Sequence, residues 1–182
     1  MKTTQWVLDP LHSELGFKIR HLMISNVSGA FTRFDVAAET EGDDFARAKV
    51  TATVEVASIH TKNEQRDAHL RNADFFDAET HPHIRFVATR IERVDEATFT
   101  LHGALTIKDI TRPVQLAVEH SGVTNDPWGG QRSGFSVSGK INRKDWGIHY
   151  NAVLETGGVA LGEEVKIQAE IQLVKQAVAV AV

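Results

Sequence analysis

Apolar residues recur at every second position along most of this chain, and that period strongly restricts what the chain can fold into. Leu15, Phe17 and Ile19 alternate with Glu14, Lys18 and Arg20, and Val50, Ala52, Val54 and Val56 alternate with Thr51, Thr53 and Glu55. The pattern returns in Phe99, Leu101, Gly103, Leu105 and Ile107, and in Val114, Leu116 and Val118. It returns again in Phe135, Val137, Gly139 and Ile141, and in Val165, Ile167, Ala169, Ile171 and Leu173. Successive side chains of a strand point to opposite faces, so each run predicts a strand with one dry and one wet face. Turn-forming residues separate the runs at Glu41-Gly42-Asp43-Asp44, Asp95-Glu96, Lys108-Asp109, Gly122 to Gly130, and Thr156-Gly157-Gly158 through Gly162. Antiparallel hairpins follow. Roughly eight strands of about ten residues, each about 30 Å long, are long for a sandwich and natural for a closed barrel. The expectation is an all-β chain forming a roughly eight-stranded antiparallel β-barrel.

A barrel of that size either packs its interior solid or holds one small ligand. Inward-facing Ala52, Gly103, Gly139 and Ala169 favour a cavity, with relief of strand curvature as the competing explanation for the same small residues. The charges on the opposite strand faces argue against those faces being the inner ones.

One segment breaks the period. Thr61-Lys62-Asn63-Glu64 has the form of a capping box, which predicts a helical insert at about residues 61–80. Between Glu64 and Arg71 only Ala68 and Leu70 are apolar, so no hydrophobic stripe holds this helix and it must rest on another part of the fold. Asp67 and Arg71 are spaced for an ion pair, while Arg66, His69 and Leu70 share another face. The plainer reading of that face is a solvated surface with one anchoring leucine. Phe75 and Phe76 follow as a plug, and Pro82 ends the segment before the next strand.

With 182 residues the chain suits one domain, over 6–174, followed by a tail at 175–182. The tail reads as a frayed or packed terminus, or as an appended remnant. The 20 Lys plus Arg against 24 Asp plus Glu give a net charge of -4, without a basic run, which argues against nucleic acid or an anionic membrane surface as partner. There is no cysteine, so disulfides, thiolate metal sites and a cysteine nucleophile are excluded. Met1 to Trp6 carries no apolar leader core and no later stretch is long enough to span a bilayer, which makes the cytoplasm the default expectation.

Most chemical motifs dissolve on inspection. Gly134 to Lys140 imitates a phosphate loop, but Ile141 stands where a hydroxyl residue would hold magnesium. Asp9, His12 and Ser13 suggest a triad, yet neighbours on a strand point apart, and hydrogen bonds closing the start of the barrel are the stronger reading. His81 and His83, with His69, could bind a metal, but no third ligand stands at a fixed spacing and no metal site is assigned. Trp6, Trp128 and Trp146 fall near strand ends or loops. Asn142-Arg143-Lys144-Asp145-Trp146-Gly147-Ile148 reads as a tight polar turn in which Arg143 and Asp145 hydrogen-bond backbone, a structural role.

Several short motifs in order carry a resemblance. They are Leu8-Asp9-Pro10 with His12-Ser13, His21, Gly29 with Phe31, Ser58-Ile59-His60-Thr61 with Asn63, and Arg66-Asp67 with His69-Leu70. Phe75-Phe76-Asp77, Pro82 with Phe86, Gly103 with Leu105-Thr106-Ile107, and Asn142-Arg143 with Asp145-Trp146-Gly147 complete them. Over about Trp6 to Leu173 the chain resembles the YceI-like family, lipocalin-like β-barrel proteins that bind polyisoprenoid and other long-chain amphiphilic lipids. Two departures stand out: many relatives resemble secreted periplasmic proteins with a leader, and Asp109 stands where relatives often have glycine.

The resemblance implies a lipid tail inside the barrel and a non-enzymatic role in binding, sequestration or transport of a polyisoprenoid or fatty amphiphile. Phe17, Ile19, Val54, Phe86, Leu105, Val137 and Ile167 are expected to line the tube, with Phe75 and Phe76 near an opening. Arg66 and His69 are expected to meet a polar head group, under a lid running from Thr61 to Asp77. No cofactor is expected, and a homodimer is left open. The competing readings are an enzyme using His69, Asp67 or His12 as acid or base, and a solid barrel serving as a stress or scaffold protein.

Overall fold

Where side chains alternate, the backbone is extended. A computed structural model describes residues 2–155 and 158–177, so Thr156 and Gly157 of the expected turn and the last five residues of the tail lie outside the described residues. The strands are β1 (Thr3–Leu8), β2 (Glu14–His21), β3 (Ser25–Phe31), β4 (Phe34–Glu41), β5 (Asp44–Glu55) and β6 (Ile59–His60). After the helix α1 (Glu64–Arg71) come β7 (His83–Arg93), β8 (Thr98–Ile107), β9 (Ile110–Asn125), β10 (Gln131–Asn142) and β11 (Leu161–Lys175).

All pairings between these strands are antiparallel, and β1 pairs with both β4 and β11, which closes the sheet. Along β11, β1 and β2 lie end to end, separated by the 3-10 turn Pro10–His12. In the same way β3 and β4 form one broken strand, and β6 continues β5 after Val56–Ser58. Counted around the ring, the result is an eight-strand antiparallel barrel. Closure satisfies backbone groups that an open sheet would leave at its edges.

Side-chain parity follows the alternation. Leu15, Phe17, Ile19, Val54, Leu105, Val137 and Ile167 all face the barrel interior. One end is sealed by a cluster of Trp6, Ala38, Phe45 and Leu173. Trp6 is fully buried and donates its indole Nε1–H to Thr40 Oγ1 at 2.9 Å, so its polar atom is satisfied there. Phe45 meets Trp6 and Phe135, both with ring centroids 5.0 Å away, and His120 stacks on Phe135 at 4.6 Å.

Several expectations shift in detail. The helix begins at Glu64 with Asn63 as its cap, the Asn63 side chain accepting from the Arg66 backbone N–H at 3.0 Å, so the box predicted at Thr61 sits two residues early. Thr61 is instead committed to Asp67, as described below. The expected Asp67 to Arg71 ion pair is absent: Arg71 lies 3.7 Å from Glu64 and donates to the carbonyls of Ala57 and Ile59. Gly122, expected to open a loop, lies within β9, which runs on to Asn125, and its φ of 98° falls where the β9 to β10 register slips. Gly162 lies within β11. Lys108 and Asp109 form a two-residue hairpin with φ of 52° and 61°, the left-handed conformation in which glycine is favoured.

The inward glycines do not open space. A Cβ on Gly103 would stand 2.3 Å from the Phe86 ring, and one on Gly139 would stand 2.5 Å from Leu116 Cδ2. These positions are seats for large neighbours, whereas Ala52 and Ala169 do face the cavity.

Candidate ligand-binding cavity

The inner faces of the strands do not meet across the barrel. They enclose a cavity of about 530 Å3, within the roughly 300–1,000 Å3 of ordinary ligand pockets. Every residue expected to line a tube does so: Phe17, Ile19, Val54, Phe86, Leu105, Val137 and Ile167 from the strands, with Phe75 and Phe76 from the segment after α1. The walls are overwhelmingly apolar, and polar groups gather at the end opposite the Trp6 cluster, where Thr61, Arg66, His69, Arg143 and Tyr150 contribute to the lining.

That end is covered by the helical segment, which is held by polar latches rather than by a stripe of apolar side chains. Asp67 is only 1% exposed, and its Oδ1 accepts from the Thr61 backbone N–H at 2.9 Å and from Thr61 Oγ1 at 2.5 Å. Arg66 donates from Nε to Thr61 Oγ1 at 2.8 Å and from Nη2 to the Thr61 carbonyl at 2.7 Å. Together with Arg71 on Ala57 and Ile59, these bonds tie α1 to residues 57–61, the end of the β5 to β6 course. Leu70 and the two phenylalanines then reach the cavity. Phe76 packs edge-on to Phe31 with centroids 6.0 Å apart, and Phe75 lies 5.1 Å from Tyr150.

Arg66 and His69 line the cavity, and each already has a protein partner. His69 Nε2 hydrogen-bonds Asp74 Oδ2 at 2.8 Å, and the ring is wedged edge-on between Phe75 at 5.0 Å and Tyr150 at 4.8 Å. The groups weighed for acid–base chemistry are not brought together. Asp67 is enclosed by Thr61, while His12 is exposed beside Asp9 and takes no part in the lining. Asp9 and Ser13 serve the barrel seam: Asp9 bonds Arg132 and Gln172, and Ser13 Oγ accepts from the Gln172 N–H at 2.9 Å. Burial pushes the Asp9 carboxyl up, but bonds from His12, Leu11 and Arg132 outweigh it and hold its pKa below the usual carboxylate value. His81 Nδ1 lies 3.1 Å from Asp109 Oδ2, and His83 is exposed at the start of β7.

Arg143 fills the structural role expected of it and has surroundings that the turn motif did not indicate. It does bond backbone, donating from Nε to Gly162 O at 2.8 Å and from Nη1 to the carbonyls of Ile148 and Tyr150, both at 2.9 Å. It is also 4% exposed and borders the cavity, and its Nη2 has no acceptor among the described residues. Burial lowers its pKa from the ordinary arginine value, with Glu163 acting in the opposite direction. A signal for this was present: Arg143 has the parity of Phe135, Val137 and Ile141, so continuing the alternation of β10 points it inward. Trp146, in the same turn, is buried and donates Nε1–H to Leu105 O at 3.0 Å.

Comparison with known proteins agrees with this architecture. The family model for the YceI-like domain matches residues 6–173. A UPF0312 protein of Staphylococcus aureus strain MSSA476 is 45% identical over 170 residues, covering 93% of this chain and 96% of that protein. The crystal structure of the Campylobacter jejuni YCEI protein superposes with a TM-score of 0.73 at 30% identity, covering 93% of this chain and 97% of the other. A polyisoprenoid binding domain from Saccharophagus degradans shares the fold with a TM-score of 0.67 at 13% identity, covering 92% of this chain and 97% of that one.

Proposed function

The chain belongs to the YceI-like family, and from that premise we propose that it sequesters or transports one long-chain amphiphilic lipid, a polyisoprenoid or fatty-acid derivative. The observation that carries this reading is the cavity itself: about 530 Å3 of apolar interior, sealed at one end and covered at the other by a segment carrying polar groups. The likeness of the fold to the polyisoprenoid binding domain of Saccharophagus degradans supports the same ligand class.

The tail lies along Phe17, Ile19, Val54, Phe86, Leu105, Val137 and Ile167, beneath Phe75 and Phe76, and the head group faces Arg66 and His69. Each buried methylene contributes roughly 0.8 kcal/mol, so about ten of them contribute about 8 kcal/mol, comparable to the 4–15 kcal/mol estimated for association. Tail length therefore dominates affinity, and the reading requires no bond making or breaking. The separation of His12 from His69 and the engagement of Asp67 by Thr61 favour binding over catalysis.

Organic extraction of the purified protein, followed by mass spectrometry, tests this. A long-chain isoprenoid or fatty amphiphile enriched over a control protein from the same host is expected. An extract no richer than the control, from protein that also fails to take up such lipids after purification, contradicts the proposal.

A further inference from the structure

Arg143 is the only buried cation among the described residues. Three backbone carbonyls hold its Nε and Nη1, which fixes the guanidinium plane, and no carboxylate among the described residues pairs with it. Glu163, the acidic group it feels, is bound to Lys144 Nζ at 2.6 Å. Nη2 is thus a buried donor with no acceptor among the described residues, on a side chain that borders an apolar cavity. A buried charge left in that state is costly unless something compensates it.

We propose that Arg143 Nη2 is the head-group anchor of this cavity, donating to an anionic oxygen, carboxylate or phosphate, at the end of a long apolar tail. The inference rests on the lipid-binding reading and adds the charge and orientation of the ligand. Nη1 of Arg143 holds the Tyr150 carbonyl, and the Tyr150 ring lies 4.8 Å from His69 and 5.1 Å from Phe75, so the anchor is at the covered end. A ligand with its head there directs its tail towards the Trp6 cluster. Arg66 and His69 flank the same end with polar atoms that Thr61 and Asp74 already engage. A fixed guanidinium suits this task because its planar fork matches carboxylate and phosphate oxygens.

The test compares four probes on the delipidated protein: palmitate, 1-hexadecanol, geranylgeranyl phosphate and geranylgeraniol. The native protein is expected to bind each anionic probe more tightly than its alcohol. In Arg143→Gln that preference falls by about ten- to a hundredfold, the loss expected for a hydrogen bond to a charged group, while binding of the alcohols changes little. Arg143→Lys restores part of it. A larger effect on palmitate assigns a fatty-acid head and a larger effect on the phosphate assigns a prenyl phosphate; either supports the anchor. Should Arg143→Gln fail to fold, Arg143→Lys carries the comparison: it keeps a charge but loses the fixed fork, so a reduced preference for the anionic probes supports the anchor and an unchanged preference overturns it. Equal affinity of the native protein for anions and alcohols overturns the anchor and leaves the lipid reading standing, as does equal weakening of all four probes in Arg143→Gln. Binding of none of the four overturns both.

Discussion

At the scale of single residues, the sealed end of the barrel carries a titratable group in an unusual place. His120 lies among Phe45, Phe99 and Phe135 and bonds Ser133 Oγ at 2.6 Å, and burial lowers its pKa. Its folded pKa is below its unfolded value of about 6.5, so its contribution to stability is fully present above that pH and is lost as pH falls through the folded pKa. The urea midpoint of the native protein should therefore drop more steeply from pH 7 to pH 5.5 than that of His120→Gln, which keeps a polar partner for Ser133 but does not titrate. Parallel pH profiles would show that His120 is accommodated equally well in either state. Parity made the inward residues legible in the sequence, because a strand alternates regardless of its partners. What a glycine makes room for was not legible: Gly103 and Gly139 read as space, and cross-strand packing fills them with Phe86 and Leu116. The backbone bonds of Arg143 are legible in its turn motif, whereas its unmet donor appears only in the folded surroundings.

At the scale of elements, the helix α1 was legible as an insert that could not stand on its own apolar face, but its fastening was not. The sequence spacing suggested Asp67 with Arg71, yet Asp67 turns under the helix to Thr61, and Arg71 reaches back to residues 57 and 59. Such long-range bonds depend on where the strand before the helix ends, which no local pattern encodes. Asp67→Ala removes the acceptor of two Thr61 hydrogen bonds and should cost about 1–3 kcal/mol, the penalty for leaving buried donors unmet. The expected signature is faster amide exchange across Glu64 to Phe76 with the barrel strands still protected. A uniform rise in exchange throughout the barrel would mean that the segment is an integral part of the cooperative fold rather than a separately fastened cover.

At the scale of the whole molecule, closure and cavity follow from the same pattern. Strands long enough to tilt around a ring satisfy one another's backbone groups, and the residues on their inner faces leave about 530 Å3 unfilled. The sequence narrowed the choice to solid or hollow without deciding it, since the sum of packing across eight strands is not a property of any one of them. The most direct test is native mass spectrometry of the delipidated protein with palmitate and geranylgeraniol, beside Val54→Trp. Val54 borders the cavity from β5, and a tryptophan there occupies tail space; overpacking commonly costs about 1–3 kcal/mol, which a pre-existing cavity should reduce. One lipid bound per native chain and little or none on a folded Val54→Trp is the predicted result. Undiminished loading of Val54→Trp, or native protein that takes up neither probe, would contradict the cavity as the binding site.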